Sequence, residues 1–420
     1  MLPAEENRLI TRAGPGTPMG ELFRRYWLPA MLSEELPQPD CTPVKLTLLN
    51  EDLIVYRDTS GRIGVLDRFC PHRNASLYWG RNEEHGLRCV YHGWKFDLDG
   101  NCTDMPNEPE ASRFHQKVTI TAYQGVEAGG VIWIYMGPRE LTPKVPELEW
   151  TLVPEGYSLA TKRIQHCNYL QNLEGEVDSS HISFLHSGGT PVPVPGTSAN
   201  PAVLDRHPVF DFKETDYGLA ISARRNAGDD SYYWRVTQFL MPTYTMIPGA
   251  PGGVISFTSA VPIDDLNMIG ITVSWRADRP LNEEEVGRIK SWTGVHTEVD
   301  RSYEPVRNMS NEYMIDREAQ SRGESFTGIR GIREQDLAVQ EDQRGPLSDR
   351  PREHLGTSDL GVIATRRRLL RQVKALQAGQ EPSEPHNPSV YRVRSAAFTE
   401  DRRVPWDRAG EAFLVAEITA

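Results

Sequence analysis

Cys70-Pro71-His72 is followed, after sixteen residues, by Cys89-Val90-Tyr91-His92. Each half delivers one thiolate and one imidazole from a tight loop. A structural zinc site groups like ligands, two cysteines on one hairpin and two histidines a short helical step apart, because they approach one tetrahedral ion together. Here the pairs are mixed and the first spacing is a single residue. Two irons bridged by two sulfides need four protein ligands. An arrangement with both thiolates on one iron and both imidazoles on the other takes one Cys and one His from each loop. Neutral imidazoles in place of two thiolates raise the reduction potential relative to a four-cysteine cluster. Pro71 and Arg73 on one side, and Gly93 and Trp94 on the other, fit two loops closing over such a [2Fe–2S] cluster.

Around this motif, from Val44 to about Met136, short alternating runs are separated by glycine, proline, asparagine or aspartate, the pattern of a small antiparallel β domain. Before it, Thr17-Pro18 reads as an N-cap followed by proline in the first helical turn. After it, the proline- and charge-rich stretch 138–150 reads as a boundary. The expected organisation is an N-terminal helical segment over 1–37, the cluster domain over 38–150 and a second domain over 151–420. In the second domain a helical stretch around Asn168–His186 precedes strand-like runs at 218–224, 232–241, 252–261 and 268–275, and charged helices follow. Strands first and helices later point to an α+β unit.

The chain has 420 residues and a net charge of -12, which disfavours nucleic acid, since phosphate binding needs a basic face. An acidic surface suits docking to a basic redox partner, and equally suits plain colloidal solubility. The cysteines are Cys41, Cys70, Cys89, Cys102 and Cys167. So odd and sparse a set argues against a disulfide scaffold and for a reducing cytoplasm. Arg8, Arg12, Glu21, Arg24 and Arg25 interrupt every apolar run near the start, so neither a signal peptide nor a membrane span is expected.

A second constellation follows. At about 100° per residue, Asn168, Gln171, Glu174, Asp178 and His181 fall in one helical sector, beside an apolar stripe of Leu170, Leu173, Val177 and Phe184. His186, five residues beyond His181, lies about 140° away on an ideal helix. Converging the two requires a π-type widening or an end to the helix, for which Ser187-Gly188-Gly189 offers a stop. Asp-x2-His-x4-His is then a candidate for part of a two-histidine, one-carboxylate iron site with positions open to dioxygen. Alone, packed core histidines explain the pattern better; after the first motif, the iron reading leads. The spacing leaves the third ligand open among Asp264, Asp300, Asp316, Asp336, Asp342 and Asp349.

With both motifs in view, the chain resembles the Rieske non-haem iron aromatic-ring oxygenases, in the oxygenase (alpha) subunit, and within them the group around phthalate 4,5-dioxygenase. The stretches that carry the resemblance are 14–27, 70–80, 87–97, 178–186, 333–342 and 349–370. The resemblance implies a Rieske β domain followed by a helix-grip catalytic domain with an antiparallel sheet, an α+β chain overall. It implies that His181, His186 and Asp336 hold a mononuclear ferrous iron. It further implies that Asp178 bridges His181 to a cluster histidine, His92, of a neighbouring subunit, in a trimer or stacked trimers. The resemblance also implies electrons from an NAD(P)H-dependent reductase carrying flavin and a plant-type [2Fe–2S] cluster. With O2 as co-substrate, the outcome it implies is cis-dihydroxylation or O-demethylation of an aromatic acid, in aromatic compound degradation. Two other readings are a Rieske electron-transfer protein without oxygenase chemistry and a zinc-stapled binding module.

A carboxylated aromatic needs a fixed cation or hydroxyl donors in an otherwise apolar pocket. Asn172 and Ser179 lie beside the metal-bearing face, and the later chain offers Arg206, His207, Arg224, Arg225, Arg235, Gln238 and Tyr244. Each arginine also reads as a solvated strand residue. The stretch 241–249 around Tyr244 has no basic residue and 204–207 has one arginine. That disfavours phthalate itself and favours a monocarboxylate, or a larger bi-aryl or methoxylated aromatic acid. His85, His115, His296 and His386 read as surface or loop histidines, and Cys102 and Cys167 as packed thiols.

Overall fold

The alternating runs before Met136 fold as strands because each presents one apolar face every second residue. A computed structural model describes residues 2–187, 205–249 and 252–417. In chain order the first strands are β1 (Leu28–Leu32), β2 (Val44–Leu48), β3 (Glu51–Arg57), β4 (Ile63–Asp67), β5 (Arg81–Glu83), β6 (Gly86–Arg88), β7 (Lys95–Phe96), β8 (Cys102–Asp104), β9 (Ala122–Ala128) and β10 (Val131–Tyr135). They form an antiparallel sheet in the order β1-β10-β9-β4-β3-β2 and a small sheet β5-β6-β7-β8; the Cys70 loop follows β4 and the Cys89 loop joins β6 to β7. Residues 1–37 are not wholly helical. Helices Ala4–Thr11 and Pro18–Phe23, the second capped by Thr17, whose hydroxyl accepts from Gly20 N at 3.2 Å, give way to β1 at the edge of the first sheet.

The second unit is built on β11 (Ser158–Gln165), β12 (Val209–Glu214), β13 (Gly218–Asn226), β14 (Ser231–Leu240), β15 (Tyr244–Ile247), β16 (Ile255–Pro262), β17 (Met268–Trp275) and β18 (Ala396–Asp401). The antiparallel order is β11-β17-β16-β15-β14-β13-β12, with β18 added to β14. Alternation gives this sheet two unlike faces. One packs against the first unit through an aromatic chain in which Trp150 joins Trp133 (5.6 Å) to Phe257 (5.1 Å) and Tyr244 meets both. Lys162 on this face pairs with Glu35 at 2.8 Å, and Trp275 donates to Glu149 at 2.9 Å. The opposite face lies under the helices Tyr169–Val177, Ile332–Glu341 and Leu360–Gln377. Among the described residues no helix is long and apolar enough to cross a membrane.

The helix expected over Asn168–His186 stops at Val177. Asp178 leaves it in an extended conformation (φ -91°, ψ 110°) and its Oδ1 accepts from Ser180 N at 2.6 Å. A short polar side chain that satisfies its own backbone competes with the helical ladder, and here it wins. A single 3-10 turn, His181–Ser183, follows.

Candidate metal centres

The two cluster loops are twins in backbone. In each the cysteine carbonyl accepts from the residue four positions on, Asn74 N at 2.9 Å and Gly93 N at 2.9 Å. In each the cysteine N–H donates five positions on, to Ala75 O at 2.9 Å and to Trp94 O at 2.8 Å. The fourth position is left-handed in both, at φ 55° for Asn74 and 82° for Gly93, which explains an Asn and a Gly there. The thiols of Cys70 and Cys89 are buried and hydrogen-bond one another, which holds the Cys70 thiol up and the Cys89 thiol down, to about 6. The imidazoles of His72 and His92 lie 4.3 Å apart, and His72 stacks on Trp94 at 4.4 Å. His72 Nδ1 is buried without a hydrogen-bond partner, as a nitrogen reserved for a metal should be. Sulfurs together and imidazoles together are the donor set of a cluster with two thiolates on one iron and two imidazoles on the other.

The second centre forms where the Tyr169–Val177 helix ends. His181 Nε2 and His186 Nε2 are 3.1 Å apart, and Asp336 Oδ1 lies 3.7 Å from the first and 3.3 Å from the second. These three are the one group of His, Cys, Asp and Glu among the described residues whose donor atoms converge as metal ligands. Termination of the helix, rather than widening, brings the histidines together. Each outer nitrogen is held: His181 Nδ1 faces Asp178 Oδ2 at 3.3 Å and His186 Nδ1 faces the Gln335 side-chain oxygen at 2.7 Å. Such acceptors fix the tautomer that leaves Nε2 bare for a metal. Asp336 comes from the buried face of the Ile332–Glu341 helix. Burial opposes its ionisation, but His186, Arg333 and His181 outweigh that and keep it below the ordinary carboxylate range. Two imidazoles and a carboxylate on one side of a point suit ferrous iron with open positions.

Comparison with known families decides what these centres belong to. The Rieske [2Fe-2S] domain family matches residues 26–123, and the family described as LigXa C-terminal domain like matches residues 134–416. The oxygenase subunit of phthalate 4,5-dioxygenase from Pseudomonas putida is 42% identical over 90% of this chain and 88% of its own. The chain belongs to the Rieske non-haem iron oxygenases. This Rieske oxygenase is also 34% identical to the oxygenase subunit of 5,5'-dehydrodivanillate O-demethylase from Sphingobium sp. (strain NBRC 103272 / SYK-6), over 91% of this chain and 83% of that one. Its fold is that of dicamba monooxygenase bound to dicamba, with a TM-score of 0.61 at 19% identity, covering 85% of this chain and 99% of the other. As a member of the family it is an oxidoreductase that uses a Rieske [2Fe–2S] cluster, a mononuclear iron and O2.

The expected substrate residues of this Rieske oxygenase separate in space. Ser179 adjoins the triad of His181, His186 and Asp336; its carbonyl accepts from Arg225 at 2.6 Å and its hydroxyl from Arg235 at 3.5 Å. Arg206 is exposed, its guanidinium 5.4 Å from the Phe184 ring at the rim. Asn172 is buried behind the triad, its amide shared between Gln165 and Gln340 at 3.3 and 3.1 Å. Tyr244 stands on the other face of the sheet: its hydroxyl donates to the Trp27 carbonyl and its ring packs in the aromatic seam, so it does not line the metal side. Arg225, read as a solvated strand residue, is fully buried under the 179–183 turn. His296 is no surface histidine either; it is 2% exposed and bridges the Thr161 and Ser274 hydroxyls at 2.8 Å each. Cys102 and Cys167 are packed thiols. The sequence reading missed Gln335, whose contact with His186 arises from packing between helix layers and has no local spacing to mark it.

Proposed function

We propose that this chain is the terminal oxygenase component of an aromatic-acid oxygenase system, hydroxylating or O-demethylating its substrate with electrons from an NAD(P)H-dependent reductase. The observation that carries the reading is the meeting of His181, His186 and Asp336 on one point in a chain that also holds Cys70, His72, Cys89 and His92 in twin loops. Those four would hold the cluster and those three the iron. When bound, the cluster relays electrons and the iron activates dioxygen.

The chain's own groups supply positioning. Asp178 and Gln335 orient the two imidazoles, and Arg333, 3.6 Å from Asp336 and paired with Glu176 at 2.5 Å, fixes the carboxylate from behind. Asp178 remains about one-fifth exposed, free to accept a second donor, which fits a role in passing electrons from a neighbouring subunit's cluster in a ring-shaped trimer. An aromatic acid is favoured because relatives named for phthalate and for dehydrodivanillate chemistry match nearly the full chain.

The test is an iron and labile-sulfide count with visible and EPR spectra of anaerobically purified protein. About three irons and two sulfides per chain are expected, falling to about two irons in Asp336→Ala with the cluster spectrum unchanged. Normal iron content in that variant would end the assignment. Asp178→Ala should keep both metals but lose single-turnover oxidation of the reduced cluster by O2 and substrate; a fully active variant refutes its role.

A further inference from the structure

The two histidines of the twin loops are not covered alike. His92 lies against Tyr91, with 3.9 Å between ring centroids, and Arg73 packs on Tyr91 at 5.2 Å. His72 instead gives a ring face to Trp94, stacked at 4.4 Å with 10° between the planes. Trp94 is 4% exposed and held at both ends: its carbonyl accepts from Cys89 N at 2.8 Å, and its indole N–H donates to Asn107 Oδ1 at 2.7 Å. Edge to face with the indole, at 6.1 Å and 77°, stands Phe114, which is 41% exposed. Three rings in contact thus lead from a proposed cluster ligand to the surface.

Phe114 opens the 3-10 turn Phe114–Lys117. The turn is pinned at both ends. Phe114 N donates to Ser112 Oγ at 3.2 Å, and Val118 donates to His115 O and accepts from Cys102 N on β8, each at 3.2 Å. A half-exposed aromatic ring on a fixed turn is the kind of side chain that fills the centre of a protein interface. Phe69, Val90 and Tyr91, on the cluster loops themselves, are exposed as well. Charges of both signs border the turn, Arg113 and Lys117 with Glu108, all at the surface. A rim of mixed sign fixes the register of a docked partner. A relay has to take electrons in as well as hand them on. In the trimer proposed above, His92 is the histidine turned to Asp178 of a neighbouring subunit, and a face closed by that contact cannot admit a donor. The His72 side, through Trp94 and Phe114, is a second way in.

We propose that the surface centred on Phe114 is where the [2Fe–2S] domain of the reductase docks, with Trp94 joining it to His72. This rests on the reading above that a separate reductase feeds the chain. The occupant is a redox protein because what the three rings reach is a redox centre. One electron crosses per encounter: the donor's cluster is oxidised, this chain's is reduced, and no bond is made or broken. The rings supply packed atoms across the gap and are not themselves oxidised.

The experiment mixes the oxidised, metal-loaded enzyme anaerobically with a photoreduced plant-type [2Fe–2S] ferredoxin and follows the cluster absorbance by stopped flow. In the wild type the rate saturates with ferredoxin concentration. Phe114→Asp raises the concentration for half-saturation roughly 10-fold or more, the joint change Arg113→Glu and Lys117→Glu raises it less, and Phe114→Tyr keeps it at the wild-type value. Reduction by dithionite, the reduced EPR spectrum, the midpoint potential and the mass in solution stay the same in all of them. The Arg113→Glu and Lys117→Glu enzyme decides the matter if Phe114→Asp does not load its cluster. A half-saturation that the variants do not move overturns the docking surface and leaves the reductase reading intact. So does a Phe114→Asp enzyme of smaller mass, which would assign the ring to a subunit contact, or one with an altered EPR spectrum, which would make it a prop of the cluster. A wild type that dithionite reduces and ferredoxin does not sinks the reductase reading, and the docking surface with it.

Discussion

Gln335 shows how much of the proposed iron site depends on a neutral side chain. Its oxygen is 2.7 Å from His186 Nδ1 while its amide donates to the Ile329 carbonyl at 2.8 Å, so the amide cannot turn and the imidazole proton has one place to point. Gln335→Leu keeps the volume and removes the acceptor. Iron affinity at the triad should fall roughly 10- to 100-fold, read as iron retained after dialysis against a chelator, with the cluster absorbance unchanged. Retention at the wild-type level would mean that packing alone aims His186. At this scale the sequence was legible where function is local. The proposed cluster ligands and the two triad histidines sit in short spacings. Asp336 lies about 150 residues further on, and only resemblance singled it out. Tyr244 failed as a pocket residue by one step of alternation: Thr245, its neighbour, occupies the helix-facing side.

The twin loops set the terms for the small sheet. Gly93 needs its left-handed backbone, and a Cβ there would lie 2.5 Å from the Pro106 ring. Gly93→Ala should therefore destabilise the loop by about 1–2 kcal/mol from backbone conformation alone, with the proline clash added. Labile sulfide per chain and the thermal midpoint should both drop; an unchanged sulfide count would show that the loop tolerates distortion. Strands were readable from alternation, since period two survives whatever the sheet packs against. The end of the Tyr169–Val177 helix was not. The apolar stripe continues in sequence to Phe184, and what breaks the helix is one Asp178 side chain turning onto its own backbone.

Across the whole molecule, one buried network ties distant parts of the chain. Glu174 accepts from Arg350 at 3.0 Å and from Arg366 at 2.6 Å, Arg366 reaches Glu353 at 2.7 Å, and Arg350 reaches Asn7 at 3.2 Å. Glu174→Gln strands two buried cations and should cost about 3–5 kcal/mol in a denaturant titration. Burial raises the Glu174 pKa, but the two arginines outweigh it and hold it below its ordinary 4.5. Its contribution is therefore present above pH 4.5 and lost as pH falls through the lower native value. Burial and the charges of Arg333 and Arg163 press His296 down from 6.5 to about 3, so the unfolded chain takes up its proton first. That share of stability is complete above pH 6.5 and drains at about 1.4 kcal/mol per pH unit below it. Acid unfolding should accordingly start in mildly acidic buffer and steepen near pH 4; His296→Gln should flatten the early slope, and an unaltered slope would place the proton uptake elsewhere. The two-faced β15 carries an engineering consequence. Tyr244 and Met246 belong to the joint between the two units, whereas Thr245 and Ile247 look toward the helices. A mutational library confined to alternate codons of this strand, and of β16 and β17 beside it, can vary the helix-facing side while leaving the joint untouched.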